Sequence, residues 1–372
     1  MNNAPIRILQ IVPNMQAGGL ENFIMNLYRN IDRDKVQFDF LVHYTEKKHF
    51  DDEIELLGGK IYRFTLRNDN NIFRYIYELN KFYKAHPEYK VIHCHMSSIG
   101  FINFIIAKKN GIKVRIAHSH NSSTDQTLKG RVKRIMMLPY KYLSTINFAC
   151  STEAGKYLYG NKKFDFIPNS IDTYRFKYSE NSRTEIRKKY NISPSTVLIG
   201  HIGRFNIQKN HMFLLDFFEQ VVEKNNNIKL MLVGDGELKT SIQRSIKEKK
   251  LEDKVVLTGV VNNTWKYYSA FDIFVLPSLF EGLPVAGVEA QCSGTYCLFA
   301  DNITREVNVT DLVNNLDLIE SIWVDKIANF LCKYDNREIY SKIVSESVFN
   351  VHKLAKIMEE KYYKLYTGSD SK

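Results

Sequence analysis

Residues 277–294 read PSLFEGLPVAGVEAQCSG. Pro277 and Gly282 punctuate the front of the stretch, and a helical pattern follows them. Apolar runs flank it, DIFVLP before and YCLFA after, so strand, loop, helix and strand succeed one another within one segment. Strands that alternate with helices imply a parallel sheet covered on both faces. Glu281 falls on the loop, and Glu289 lies about two helical turns further on. The loop N–H groups and the helix N-terminus between them form a natural anion site. A carboxylate on each side of a phosphate cradle suits a sugar nucleotide. One can accept hydrogen bonds from a sugar and the other from a ribose.

The same rhythm continues outward. VLIGHIG, KLMLVG and KVVLTG precede the segment, and Arg204 and Lys209 follow the first of these runs in HIGRFNIQKN. In the first half IRILQIV reads as a buried strand, PNMQAGG as a loop and LENFIMNLY as a helix. FDFLV, KIYRF, KVIHCH, KVRIAH, INFAC and FDFIP follow as further short strands. The polar stretch TYRFKYSENSRTEIRKKYNISPS interrupts the alternation. Two successive doubly wound α/β units are the simplest reading: 1–172, a hinge region 173–195, and 196–345. Residues 346–372 end the chain with a helix rich in Lys, Glu and Tyr.

A chain of 372 residues is long enough for two such cores. No apolar run approaches the ~18 residues needed to cross a bilayer, and the N-terminus reads as a strand rather than a leader. Five scattered Cys without a C-x-x-C pair read as reduced thiols, which suits the cytoplasm. The net charge of +11 is uneven: residues 1–172 hold 25 Lys+Arg against 16 Asp+Glu, the remainder 27 against 25. The first half therefore faces something anionic. No nucleic-acid motif accompanies the charge, and a membrane surface or a lipid-linked diphosphate fits better.

Arg204 and Lys209 after a strand, the run LMLVGDGE, and Glu281 with Glu289 together resemble the retaining glycosyltransferases of family 4. The resemblance covers nearly the whole chain and is strongest over residues 200–291. It implies the GT-B fold, two Rossmann-like domains facing a central cleft, with a C-terminal helix crossing back onto the first. It assigns Arg204 and Lys209 to a donor diphosphate, Glu281 to the donor sugar and Glu289 to the ribose. Two cations answer two phosphates, each charged hydrogen bond contributing roughly 1.5–3 kcal/mol. Gly282, Leu283, Pro284 and Val285 complete the loop and helix start at the donor. Gly18 and Gly19 match the family's Gly-rich loop facing the donor phosphates; the bland alternative is a tight βα turn. Gly259 and Val260 fall where the family meets the nucleotide base.

His118 and His120 end a strand on one face, where parallel strands line a crevice. The resemblance places a His here near the transferred sugar, with His120 matching best and Asn121 beside it; a structural pair is the alternative. His93 and His95 form a second pair, too few for a metal site by spacing. Lys129, Arg131, Lys133 and Arg134 lie on a basic amphipathic helix with Leu128, Val132, Ile135 and Met136, a pattern that can rest on an anionic bilayer. Two departures from the family pattern stand out. Ser170 replaces a Gly in Asn169–Asp172, and Thr295-Tyr296 stands where a Pro is commoner.

The expectation is a retaining glycosyltransferase that moves a hexose or N-acetylhexosamine, UDP-linked rather than GDP-linked, onto a lipid-linked saccharide in bacterial surface-polysaccharide synthesis. Arg204, Lys209, Glu281 and His120 are the expected catalytic groups. No cofactor or catalytic metal is expected, and a homo-oligomer is left open. The expected location is the cytoplasmic face of the membrane, peripherally bound. A UDP-sugar 2-epimerase on the same fold, or a non-catalytic partner subunit, are the alternatives.

Overall fold

The computed structural model describes residues 4–16, 18–64, 71–96, 99–120, 128–330 and 336–369, with the side chains of 128–130 and 133 excepted. The chain forms two compact units, Met1–Ser170 with Val351–Lys372, and Ile171–Asn350.

The first unit carries β1 (Ile6–Ile11), β2 (Val36–Val42), β3 (Ile61–Arg63), β4 (Val91–Cys94), β5 (Val114–Ser119), β6 (Ile146–Ala149) and β7 (Asp165–Phe166). They form one sheet in the order β3-β2-β1-β4-β5-β6-β7, every pair parallel. Every residue of β2 and β4 is buried, as a sheet covered on both faces requires. Asp39 on β2 is a buried charge that needs partners, and it finds Arg7 at 2.5 Å and the Tyr89 hydroxyl at 2.6 Å. The helix Val351–Thr367 belongs to this unit. It buries Leu354, Met358 and Tyr362 in the core formed with Ile8, Phe38 and Phe40.

The second unit carries β8 (Val197–Ile202), β9 (Ile228–Val233), β10 (Val255–Gly259), β11 (Ile273–Leu276), β12 (Tyr296–Ala300) and β13 (Val313–Leu316), in the order β10-β9-β8-β11-β12-β13 and again parallel. Residues 173–195 lie in this unit. Their helix Glu180–Lys189 is tied to the sheet by Arg183 and Arg187, which meet Asp272 at 2.7 and 2.6 Å. In each sheet the strand order reverses beside the first strand, at β1/β4 and β8/β11. The carboxyl ends there open the crevice where open α/β sheets bind ligands.

The two departures in sequence have local explanations. Ser170 is absent from the residues with positive φ, so no strain arises from the missing Gly. Thr295 uses its N–H on Ala290 O and its hydroxyl on Tyr268 O at 3.0 Å, and it accepts from Arg337 at 2.7 Å. A Pro at that position would supply none of these bonds.

Candidate functional site

The loop after β8 is held by its neighbours. Phe205 N–H donates to Asp235 O, and Leu238 N–H donates to Phe205 O. The two segments lie so close that a Cβ at Gly234 would stand 2.0 Å from Gly203 O, and one at Gly236 2.5 Å from Phe205 O. Gly234 also has φ 142°, a conformation suited to glycine. The run LMLVGDGE thus acts as the support on which the Arg204 loop rests. Asn206 caps the turn Ile207–Lys209 by accepting from Lys209 N–H at 3.2 Å. Asn210, with φ 57°, then redirects the chain into the helix His211–Lys224.

That turn delivers Lys209 to Glu281. Nζ lies 2.6 Å from Glu281 Oε1, and the two side chains are only 15% and 8% exposed. Gln208 joins them: its amide donates to Glu281 Oε2 at 3.1 Å and to Phe280 O at 2.9 Å. Leu279 N–H donates back to Gln208 O. The Gln208–Lys209 turn and the Glu281 loop are therefore one hydrogen-bonded assembly. Gln208 was not singled out in the sequence, although it adjoins Lys209.

Arg204 stands apart from this cluster. Its side chain is 72% exposed and its Nε meets Glu237 Oε2 at 3.2 Å. An exposed pair of this kind contributes little and leaves the guanidinium free to move. Gly282 is half-buried, Leu283 and Pro284 are buried, and Pro284 caps the helix Val285–Cys292. Glu289 on that helix accepts from the Tyr268 hydroxyl at 2.7 Å. Burial pushes its carboxyl up to about 7, against the opposing effects of the Tyr268 bond and the Arg175 charge. Arg175 lies over the Trp265 ring, 3.7 Å from its centroid. Gly259 has φ 71° with open space where a Cβ would stand, and Val260 beside it is 76% exposed.

Beneath Lys209 lie two buried imidazoles. His201 Nδ1 donates to Val275 O at 2.9 Å, and its ring packs edge-on against His211. Burial lowers both rings, His211 to about 4, and Lys209 adds to the effect. Both stay neutral, so Lys209 is the cation of this corner.

In the first unit Gly18 precedes the helix Gly19–Asn30 in ordinary extended backbone. Its lack of a side chain serves packing: a Cβ there would stand 2.4 Å from Glu21 Oε2. The Glu21 carboxylate thus packs against Gly18 in the first turn of the helix. Burial raises the Glu21 carboxyl above its ordinary value.

His118 and His120 are drawn together with His93 and His95. His120 Nε2 lies 2.9 Å from His95 Nδ1, and His95 Nε2 lies 2.9 Å from Gln10 Oε1. His118 Nε2 donates to Ile167 O at 3.3 Å, and its ring is buried against Phe148 and Phe23. Burial drives His93, His95 and His118 well below the ordinary imidazole range and His120 to about 3. His93, His95 and His118 each offer a nitrogen within 4.8 Å of the others. His95, however, already uses both of its nitrogens. Asn121 lies outside the described residues.

The helix Leu128–Met137 exposes Arg131, Val132, Arg134 and Ile135, the last at 65%. Leu138 and Tyr142 continue the exposed apolar surface. Val132 and Ile135 were expected to share an apolar face, and both stand in solvent beside the arginines. The side chains of Lys129 and Lys133 lie outside those described. Among the described residues no helix is long and apolar enough to cross a membrane.

Comparison with known proteins gives a consistent picture. Residues 17–175 match the model of Glycosyltransferase Family 4, and residues 182–321 that of Glycosyl transferases group 1. The chain is 33% identical over 341 residues to the putative glycosyltransferase EpsF of Bacillus subtilis, covering 88% of each. It is 26% identical over 274 residues to the UDP-Gal:alpha-D-GlcNAc-diphosphoundecaprenol alpha-1,3-galactosyltransferase of Escherichia coli, covering 66% of this chain and 69% of that one. The fold is shared with Anabaena HepE, solved in complex with UDP and glucose, with a TM-score of 0.76, 16% identity, and 96% and 99% of the two chains covered.

Proposed function

The chain is a glycosyltransferase of family 4 with the GT-B fold, and from that premise we propose that it transfers a hexose or N-acetylhexosamine from a UDP-linked donor to a lipid-linked saccharide, with retention, in bacterial surface-polysaccharide synthesis. The observation that carries the reading is the Gln208–Lys209–Glu281 assembly on the carboxyl side of β8 and β11. It sets a cation beside a carboxylate in a nearly buried corner, with a second, exposed cation on the adjoining loop. UDP in the HepE structure and the UDP-sugar named for the Escherichia coli relative support the nucleotide. That relative's diphosphoundecaprenol substrate supports the acceptor class.

In this reading Lys209 leaves Glu281 for the donor diphosphate, and Arg204 swings from Glu237 to join it. Both then stabilise the negative charge that grows on the leaving diphosphate as the anomeric bond breaks. Glu281, released, accepts hydrogen bonds from the sugar hydroxyls and positions the ring as it gains oxocarbenium character. Glu289 accepts from the ribose, with Val260 and Gly259 beside the base. The leaving phosphate takes the proton of the incoming hydroxyl on the same face, which preserves the anomeric configuration. No catalytic metal is invoked.

The exposed Arg131, Arg134, Val132 and Ile135 would lie against an anionic bilayer that holds the lipid-linked substrate. That contact makes the protein a peripheral one at the cytoplasmic face.

Thermal unfolding against UDP- and GDP-sugars tests the donor. A ligand at 100 times its dissociation constant should add about 2.7 kcal/mol of stability. The reading expects a shift with a UDP-sugar that Arg204→Ala weakens, and transfer lowered roughly 10²-fold in Arg204→Ala and Lys209→Ala. Near-normal transfer in both variants would remove the diphosphate assignment. Conversion of a UDP-sugar without any acceptor would replace transfer by epimerisation.

A further inference from the structure

A cavity opens at the amino ends of β4, β5 and β6, the far end of the first sheet from the crevice. Lys90, Lys113 and Thr145, which stand immediately before those strands, lie in its wall. Its volume of about 1010 Å³ stands at the top of the roughly 300–1,000 Å³ range of small-molecule sites, more than a single ion or sugar needs.

The wall is positive. Lys84, Lys90, Lys113 and Lys364 line the cavity, and no Asp or Glu among the described residues does. None of the four has a carboxylate partner among the described residues; Lys90 lies over the Tyr366 ring, 4.8 Å from its centroid. Glu88, in the same stretch of chain, sets its Oε1 2.8 Å from His86 Nδ1 instead. Val91 pairs with Val114, so Lys90 and Lys113 stand side by side on neighbouring strands, ~4.8 Å apart and on one face. Behind them the nearly buried Arg115 donates to Ile112 O, Lys113 O and Leu143 O, and among the described residues it meets no carboxylate.

Helix ends account for part of this charge. The helices Ile72–Ala85, Gly100–Lys109 and Val351–Thr367 finish at the cavity, with His86, Asn110 and Gly368 in its wall. Each C-terminus carries roughly −0.5 charge, together about −1.5, and attracts cations. Five cations exceed that about threefold, and like charges gathered round one opening repel. The same helix ends decide which kind of anion fits. A compact phosphate seeks the N–H groups of a helix N-terminus, whereas these ends present carbonyl oxygens, which accept from hydroxyls. A ligand suited to this cavity brings hydroxyl donors for the carbonyls and separated negative charges for the lysines.

We propose that the cavity binds an acidic oligosaccharide, with its carboxylates on Lys84, Lys90, Lys113 and Lys364 and its hydroxyls on the carbonyls of the three helix ends. The site rests on the first unit alone and does not depend on which sugar the protein transfers.

Calorimetric titration of the full chain with tetragalacturonate tests the site, with maltotetraose as the neutral saccharide and inorganic pyrophosphate as the plain anion. Tetragalacturonate should bind at least roughly tenfold tighter than either. Lys90→Glu combined with Lys113→Glu should weaken that binding at least roughly tenfold, since two charge contacts are reversed. Arg131→Glu combined with Arg134→Glu should leave it unchanged, and thermal unfolding confirms that both variants fold. In ¹H–¹⁵N spectra of the wild type the saccharide should move the amide resonances of Gly111 and Gly368, which locates it without any substitution. No binding of tetragalacturonate, or pyrophosphate or maltotetraose binding as tightly, overturns the proposal. So does an equal loss in the two double variants, or movement of the Gly18 or Gly259 resonance in place of Gly111 and Gly368.

Discussion

Lys209 Nζ rests 2.6 Å from Glu281 Oε1, so the two groups assigned to different parts of the donor neutralise one another before it arrives. In the proposed reading, donor binding exchanges this bond for two new ones. A UDP-sugar supplies both, a phosphate for Lys209 and hydroxyls for Glu281. Free UDP supplies only the first and leaves a nearly buried carboxylate without its cation, which is costly.

Glu281→Gln separates the two effects. The variant loses the carboxylate for the sugar, and its transfer rate should fall roughly 10²-fold. It also releases Lys209, so UDP alone should bind several-fold tighter than to the wild type. Calorimetric titration with UDP beside a transfer assay checks both; weaker UDP binding in the variant would refute the exchange.

Glu289 makes a pH-dependent contribution of the opposite sign to a salt-bridged carboxylate. Its folded-state value of about 7 is raised above the ordinary one, so the folded protein favours the protonated form. The stabilisation is full at low pH and is lost as pH rises through about 7. Glu289→Gln should therefore leave stability nearly unchanged at pH 5 and raise it at pH 8, by at most about 3 kcal/mol. Denaturant unfolding at the two pH values measures the difference. If Glu289 holds the ribose as proposed, the same variant should bind UDP more weakly at pH 8, where the wild-type carboxylate is ionised.

Gly236→Ala places a methyl 2.5 Å from Phe205 O and 2.7 Å from Phe205 N, both backbone atoms. The Arg204 loop must shift, at a cost of about 1–3 kcal/mol. The midpoint of thermal unfolding should drop by several degrees. Donor affinity should drop with it, although residue 236 itself carries no functional group.

Arg131→Glu combined with Arg134→Glu should reduce partition onto phosphatidylglycerol vesicles by at least roughly 30-fold, since each juxtamembrane cation contributes about 1 kcal/mol. Binding to phosphatidylcholine vesicles should be weak for both proteins. Transfer to a short-chain soluble acceptor should persist, which distinguishes a membrane contact from damage to the donor site.

The strands were legible because a sheet covered on both faces demands short continuous apolar runs, and twelve of them announce β1 to β12. β13 was not, because VNNL at the sheet edge is only half-buried and carries two Asn. Lys209 and Glu281 were singled out through the family resemblance of their segments, and the fold brings them into contact. Gln208, Tyr268 and Gln10 could not, since their roles depend on which strands lie side by side. Glu21 was passed over for a related reason: a carboxylate in the first turn of a helix is common, and its packing against Gly18 is visible only in three dimensions.

The helix Val351–Thr367 completes the core of the first unit, yet it is synthesised only after the whole of the second unit. Between the two pieces of that unit the ribosome must make all of Ile171–Asn350. At ~5–20 residues per second that interval is on the order of 10–40 s. Throughout it the nascent first unit shows an apolar groove over Ile8, Phe38 and Phe40 with nothing to fill it. The second unit is continuous and can finish first. A chain released before that helix is made therefore exposes the groove to chaperones and proteases.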